Sequence, residues 1–196
     1  MSKVMAEPRD NPVEQAARIQ EDRALLVAFH RGSDAAAEAL WSRHAGTLRA
    51  HASSLVGASL ADDVVQAVFL QVLGLRRKTV KQVRDPSPWL CTLTRHAALN
   101  ARRQRQRREA REEHGATAAA ADWGTSGELS ALLDELPESC REALVLRHAY
   151  GFTLERLAEA LGVSRSTAAD RYARGLALAR VRVDQKEAQG EPHHVG

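Results

Sequence analysis

The sequence predicts an all-α fold: an N-terminal helical bundle joined by a flexible linker to a C-terminal helix-turn-helix domain. Three observations carry that prediction. The 196 residues are rich in Ala, Leu, Arg and Glu, only 4% are aromatic, and Gly and Pro are few (12 and 6), a mix that favours helix over sheet. Apolar residues, 44% of the total, recur at helical spacing between glycine and proline stops, enough for a packed core. A stretch without amphipathic period, HGATAAAADWGTSGE at 114–128, separates two such sets of helices.

Residues 13–30 carry the first helical pattern, and Arg31-Gly32 ends it. Ser33 or Asp34 can cap the second helix, which runs to Gly57. Ser59 or Asp62 begins a third, with Val64, Val65, Val68, Phe69, Val72 and Leu73 on one broad apolar face, and it stops near Gly74. A basic connector, RRKTVKQVRDPSP, follows. Ser87 and Pro88 form a start signal for a fourth helix, because Pro suits the first helical position. That helix buries Leu90, Leu93, Thr94, Ala97 and Ala98, with Trp89 as a core anchor, and then becomes an Arg-rich rod ending near Glu113. Residues 13–113 therefore form the first domain and 114–128 the linker, with Trp123 partly exposed within it.

The second domain spans 129–184. Helical segments flank Pro137, and Leu144, Val145 and His148 share a face of the later one, which Gly151 closes. Thr153 caps LERLAEAL, Gly162 ends it, and Ser164 caps the next helix. Helix, three-residue turn and helix, with glycine opening the turn, is the spacing of a helix-turn-helix. Ala168, Tyr172, Gly175 and Ala179 recur at helical spacing and face inward, where small Ala168 and Gly175 permit close approach. Arg165, Ser166, Thr167, Ala169, Asp170, Arg171 and Arg174 then face outward. Side chains at the start of such a helix reach base edges, while arginines and the helix dipole meet phosphates. The plainer reading of this face is a solvated charged surface on a helical hairpin. Asp170 fits that reading, unless its carboxylate accepts from a cytosine amino group. Beyond Asp184 the tail is expected to fray.

Charge is distributed unevenly. The net is +3, yet Gly74 to Glu112 holds twelve basic residues against Asp85, Glu109 and Glu112, so this stretch carries +9 and the remainder −6. A concentrated basic segment in an otherwise acidic chain is an electrostatic footprint for a polyanion. Few acids lie nearby in sequence to neutralise Arg102, Arg103 and Arg105, so a merely solvated helix laced with i,i+4 pairs is the weaker reading. The two cysteines, Cys91 and Cys140, form no C-x-x-C pair and read as buried thiols. Cys91 and His96, five apart, do not share a helix face, no third orienting group is evident, and no catalytic residue is assigned. His193 and His194 are weak evidence for a metal, so no cofactor and no metal are expected. The N-terminus has no apolar run of the signal-peptide kind and no window reaches membrane-span length, which reads as a cytoplasmic chain.

Taken together, the two halves resemble a bacterial RNA polymerase sigma factor of the extracytoplasmic-function (ECF) class. ADDVVQAVFLQVL at 61–73 is similar to the family's polymerase-gripping helix. SPWLCTLTRHAALNARRQRQRR at 87–108 is similar to its promoter-melting helix, and the segment at 136–180 closely matches its −35-reading domain. The resemblance implies that Asp62, Asp63, Gln66 and Phe69 contact core polymerase. An N-terminal acidic cap is the plainer reading of Asp62 alone. It further implies that Arg76, Arg77, Lys78, Lys81, Arg84, Arg95, His96, Asn100, Arg102 and Arg103 contact the −10 region. Cations and stacking dominate the binding of such a melted strand. The outward face of the last helix then reads the −35 element. Four positions depart from the family pattern: Ala67 stands where an acid is usual, His96 and Asn100 replace Asn and Asp, and Ala169 replaces a common lysine. The implied partners are core RNA polymerase, promoter DNA and a separate anti-sigma protein. The alternative, a stand-alone helix-turn-helix regulator, accounts for the second domain but leaves the acidic and Arg-rich helices unassigned.

Overall fold

A computed structural model describes residues 12–112 and 127–190. Nine helices occupy them: α1 (Pro12–His30), α2 (Asp34–Val56), α3 (Ala58–Gly74), α4 (Arg77–Gln82), α5 (Pro86–Glu112), α6 (Gly127–Asp134), α7 (Glu138–Ala149), α8 (Leu154–Leu161) and α9 (Arg165–Gly190). No strand occurs among the described residues. The all-α expectation therefore holds, and the first five helices form the expected N-terminal bundle.

Local sequence accounts for most boundaries. Gly32, at φ 88°, ends α1, and the Ser33 hydroxyl accepts from the Ala36 N–H at 3.3 Å to start α2. Gly57, at φ 82°, separates α2 from α3, so α3 starts at Ala58 rather than at Ser59 or Asp62. Asp62 then lies past the first turn and is no cap; its carboxylate accepts from Arg49 Nε at 2.5 Å instead. The basic connector is not all loop, because Val80 drops into the core and pins the short helix α4. The long helix begins at Pro86, with Asp85 Oδ1 accepting from the Ser87 N–H at 3.1 Å; Asp85, not Ser87, caps it. Helix α6 begins at Gly127, inside the stretch read as linker, while the rest of that stretch, Trp123 included, lies outside the described residues. Helix α9 runs to Gly190, past the expected fraying point at Asp184.

Helix α2 is the hub, touching α1, α3, α5 and α7. In the bundle, Leu26, Leu40, Leu48, Val65, Val68, Val72 and Leu90 are essentially inaccessible, and Phe69 packs edge-on against Phe29 with ring centroids 5.7 Å apart. Leu73, expected on the apolar face, is exposed, as is Leu70, while Trp89 packs against the core as anticipated. The C-terminal unit buries Leu144, Val145, Leu146, Leu157, Leu161 and Ala168, but His148 points outward.

The two units share one core. Helix α7 lies on α2 and α8 lies on α5, and buried residues run continuously from Leu48 and Cys91 to Phe152 and Leu157. Gly175 is buried where α9 crosses α7, and a Cβ there would stand 3.1 Å from the Cys140 carbonyl oxygen and from Leu144. Because a helix carbonyl cannot step aside, Gly175→Val is expected to lower stability by about 1–3 kcal/mol through overpacking. A fall in the urea midpoint with no change in secondary structure would display it.

Candidate nucleic-acid interface

The helix-turn-helix is built as its residues dictate. Thr153 accepts from the Arg156 N–H at 3.4 Å, and Gly162 takes the left-handed conformation, φ 64°, that closes α8. Ser164 Oγ accepts from the Thr167 N–H at 3.1 Å and starts α9. Ala168 and Gly175 face inward as expected, with Tyr172 half-buried beneath the Arg147 guanidinium, 5.5 Å from its ring centroid. Arg165, Ser166, Asp170 and Arg174 are exposed, and Thr167, Ala169 and Arg171 are partly so. Arg165 is steadied by Glu155 of α8 at 2.5 Å, both groups being exposed. The start of α9 thus offers cations and hydroxyls around a helix N-terminus, a surface suited to a DNA groove.

The bundle carries exposed basic side chains of its own. Arg76, Arg77, Lys78, Lys81, Arg84, His96, Asn100 and Arg103 are all exposed along α4, the α4–α5 turn and α5. Two expected members differ. Arg102 pairs with Glu138, and Arg95 Nε donates to Glu142 Oε1 at 3.0 Å and Oε2 at 3.3 Å. Acids absent from the local sequence therefore reach this helix from α7, which spacing along the chain cannot reveal.

Glu142 is the centre of that contact. It is 2% exposed and also accepts from His51 Nε2 of α2 at 2.9 Å, leaving the buried His51 Nδ1 without a partner among the described residues. Burial alone would raise the Glu142 carboxyl, but the hydrogen bond and charge of His51, then those of Arg95, outweigh it and hold the group below its ordinary 4.5. A depressed carboxyl contributes stability above pH 4.5 that is lost as pH falls through its folded value. Acid titration of the unfolding free energy should therefore decline more steeply below pH 4.5 for the parent than for Glu142→Gln. Identical acid slopes would refute that contribution. Nearby, Arg156 of α8 pairs with Asp85 at 2.8 Å and stacks 4.8 Å from the Phe152 centroid.

Asp62, Asp63 and Gln66 are exposed along α3, whereas Phe69 is 8% exposed and packs on Trp41 with centroids 5.0 Å apart. Leu70 and Leu73, which sequence reasoning passed over as surface groups, are 68% and 43% exposed beside them. Their signal was the i, i+4 spacing from Gln66 and Phe69. Cys91 is fully buried, which pushes its thiol well above its ordinary value, while His96 faces outward, so the two form no pair.

Fold and surface together define a two-domain helix-turn-helix protein with a second, basic face on its N-terminal bundle. Residues 40–108 match sigma-70 region 2, and residues 126–178 match sigma-70 region 4. The chain is 32% identical to RNA polymerase sigma factor CarQ of Myxococcus xanthus, over 75% of this chain and 88% of that one. It is 30% identical to the ferric citrate uptake sigma factor FecI of Escherichia coli (strain K12), over 66% of this chain and 80% of its relative. Among solved structures, similar folds occur in sigma factor RpoE bound to the anti-sigma factor NepR from Bartonella quintana and in CnrH bound to the cytosolic domain of CnrY. The first has TM-score 0.65 and 21% identity, covering 75% of this chain and 96% of that one. The second has TM-score 0.59 and 24% identity, covering 84% and 97%. The chain belongs to the sigma-70 family, in its ECF class. It is an initiation factor that binds core RNA polymerase and directs it to promoters, and nothing favours a stand-alone regulator.

Proposed function

We propose that α3 grips polymerase through Asp62, Asp63 and Gln66 together with the exposed Leu70 and Leu73, with Phe69 holding that face from beneath. In the same reading, Arg76, Arg77, Lys78, Lys81, Arg84, His96, Asn100 and Arg103, with Arg95 and Arg102 once freed, take the melted −10 strand. Arg165, Ser166, Thr167, Ala169, Asp170, Arg171 and Arg174 read the −35 duplex. The domains so assigned are 13–113 and 129–184, with 114–128 between them.

The observation that carries this reading is that the exposed groups divide by element: cations along α4 and α5, cations and hydroxyls at the start of α9, and acidic with apolar groups on α3. Phosphate neutralisation supplies affinity on the basic face, and side chains at the start of α9 supply base selection. The chain acts as a cytoplasmic binding factor with no catalysis of its own; among the described residues no helix is long and apolar enough to cross a membrane. The solved neighbours, each bound to a second protein that holds it, favour an anti-sigma protein as the regulator here too. Run-off transcription with core enzyme on a promoter library tests the reading. A promoter-dependent product that disappears on Arg171→Ala with Arg174→Ala is expected, and product without core binding or without dependence on α9 would overturn it.

A further inference from the structure

A cleft of about 440 Å³ lies where α1, α2, the start of α5 and the α7–α8 turn meet, a volume within the range of small-molecule sites. Its lining is polar and incompletely satisfied. Among the described residues, six buried side-chain polar atoms lack a well-formed hydrogen bond, and three of them, His44 Nε2, Tyr150 Oη and Arg156 Nε, belong to residues of this one cleft. His44 Nε2 comes within 3.1 Å of Asp22 and Arg156 Nε within 2.8 Å of Asp85, both poorly aligned, while Tyr150 Oη has Thr47 and Cys91 beside it. Buried polar atoms left in this state carry a cost that a bound group with matching atoms removes.

The donors of the cleft call for an anion. Its lining holds three arginines, Arg18, Arg43 and Arg156, against two acids, Glu21 and Asp22. Those acids clamp Arg43, which donates to Asp22 at 2.8 Å and to Glu21 at 3.0 Å, and Asp85 likewise steadies Arg156. A guanidinium carries five N–H donors, so Arg43 and Arg156 keep donors beyond those that face carboxylates. Side chains already held in place lose little freedom on meeting a ligand. The Tyr150 and Ser87 hydroxyls add donors from two further elements. A phosphoryl group presents three acceptor oxygens in different directions and takes donors from several walls, whereas the two oxygens of a carboxylate are coplanar. We infer that this cleft binds one small phosphate-bearing molecule, with Arg43, Arg156 and the Tyr150 hydroxyl donating to its phosphoryl oxygens. The inference does not depend on the DNA and polymerase assignments above. The site needs both units of the chain, since Arg43 belongs to the bundle and Tyr150 and Arg156 to the C-terminal unit, so a bound ligand fastens their junction.

The test is isothermal titration calorimetry on the full chain at fixed ionic strength, with pyrophosphate and adenosine monophosphate as separate probes and succinate as the carboxylate control. One saturable site is expected for at least one phosphate probe, and the tighter of the two shows whether an inorganic or an organic source fits better. At ten times the dissociation constant, the melting temperature should rise by about 3–6 °C. Tyr150→Phe removes only a hydroxyl that lacks an aligned partner, so the fold is kept, and it should weaken binding about tenfold. Arg43→Gln should weaken it at least as much, and Tyr150→Phe keeps the test decisive if that variant unfolds. Arg103, exposed on α5 and outside the lining, reports binding elsewhere, and Arg103→Ala should leave the affinity unchanged. No saturable binding up to about 10 mM shows a cleft that holds water alone and overturns the inference. Binding unchanged by Tyr150→Phe, or weakened by Arg103→Ala, puts the anion on another surface and overturns it too. Succinate bound as tightly as the phosphates overturns the phosphoryl assignment.

Discussion

Phe152→Ala is expected to lower the unfolding free energy by about 3–5 kcal/mol, the usual cost of emptying a fully buried phenylalanine site. Phe152 is 0% exposed and sits where the C-terminal unit meets the bundle. Its ring packs on Tyr150 with centroids 4.8 Å apart, the Arg156 guanidinium covers it, and Arg147 donates to its carbonyl. The cavity cannot collapse easily, because Arg147 and Arg156 are held by other partners as well, Tyr172 and Asp85. Urea unfolding followed by circular dichroism measures the loss, and Phe152→Leu should recover part of it by refilling the site. A midpoint within error of the parent would show that the domain junction contributes nothing to folding.

Leu70→Asp is expected to weaken binding to core polymerase by about ten- to a hundredfold while leaving thermal stability nearly unchanged. Burying one leucine at an interface is worth about 1.5–3 kcal/mol, which converts to that range of dissociation constants. Leu70 is 68% exposed, so its replacement removes no core contact, and surface changes of this kind usually stay within about 0.5 kcal/mol. An exposed large apolar residue is unremarkable alone. Leu70, Leu73 and Trp41 are all more than a third exposed, and the proposed interface joins Leu70 and Leu73 to the exposed acids Asp62 and Asp63 of the same helix, the mix of apolar and polar groups expected at an interaction site. Pull-down with core enzyme gives the readout. Full binding by Leu70→Asp would remove the apolar half of the assigned interface and leave only its charges.

The helix-turn-helix was legible because its signals are local. Thr153, Gly162 and Ser164 each act within a few residues of where they stand, through a hydroxyl that accepts an early N–H or a left-handed φ that ends a turn. The same holds for Ser33 and for the inward placement of Gly175. Boundaries were missed where two signals compete. Asp85-Pro86 and Ser87-Pro88 are both valid starts, and the former prevails because Asp85 caps one end while also pairing with Arg156 from α8. Helix α4 escaped notice because a single buried residue, Val80, holds it. Leu73 looked like core because periodicity gives a direction around the helix axis but not what covers it.

From the amino-acid order alone came the helical class, the helix-turn-helix and the concentration of +9 between Gly74 and Glu112. These depend on propensity, period, capping and net charge, all properties of short stretches. Only the tertiary structure decided which cations are available. Glu142 is 47 residues from Arg95 and 91 from His51, and Glu138 is 36 from Arg102. Charges that far apart in sequence meet only through packing of α7 on α2 and of α8 on α5. A charge's partner is set by distance and desolvation in the folded chain, so a stretch that reads as uniformly free in sequence is partly neutralised in space.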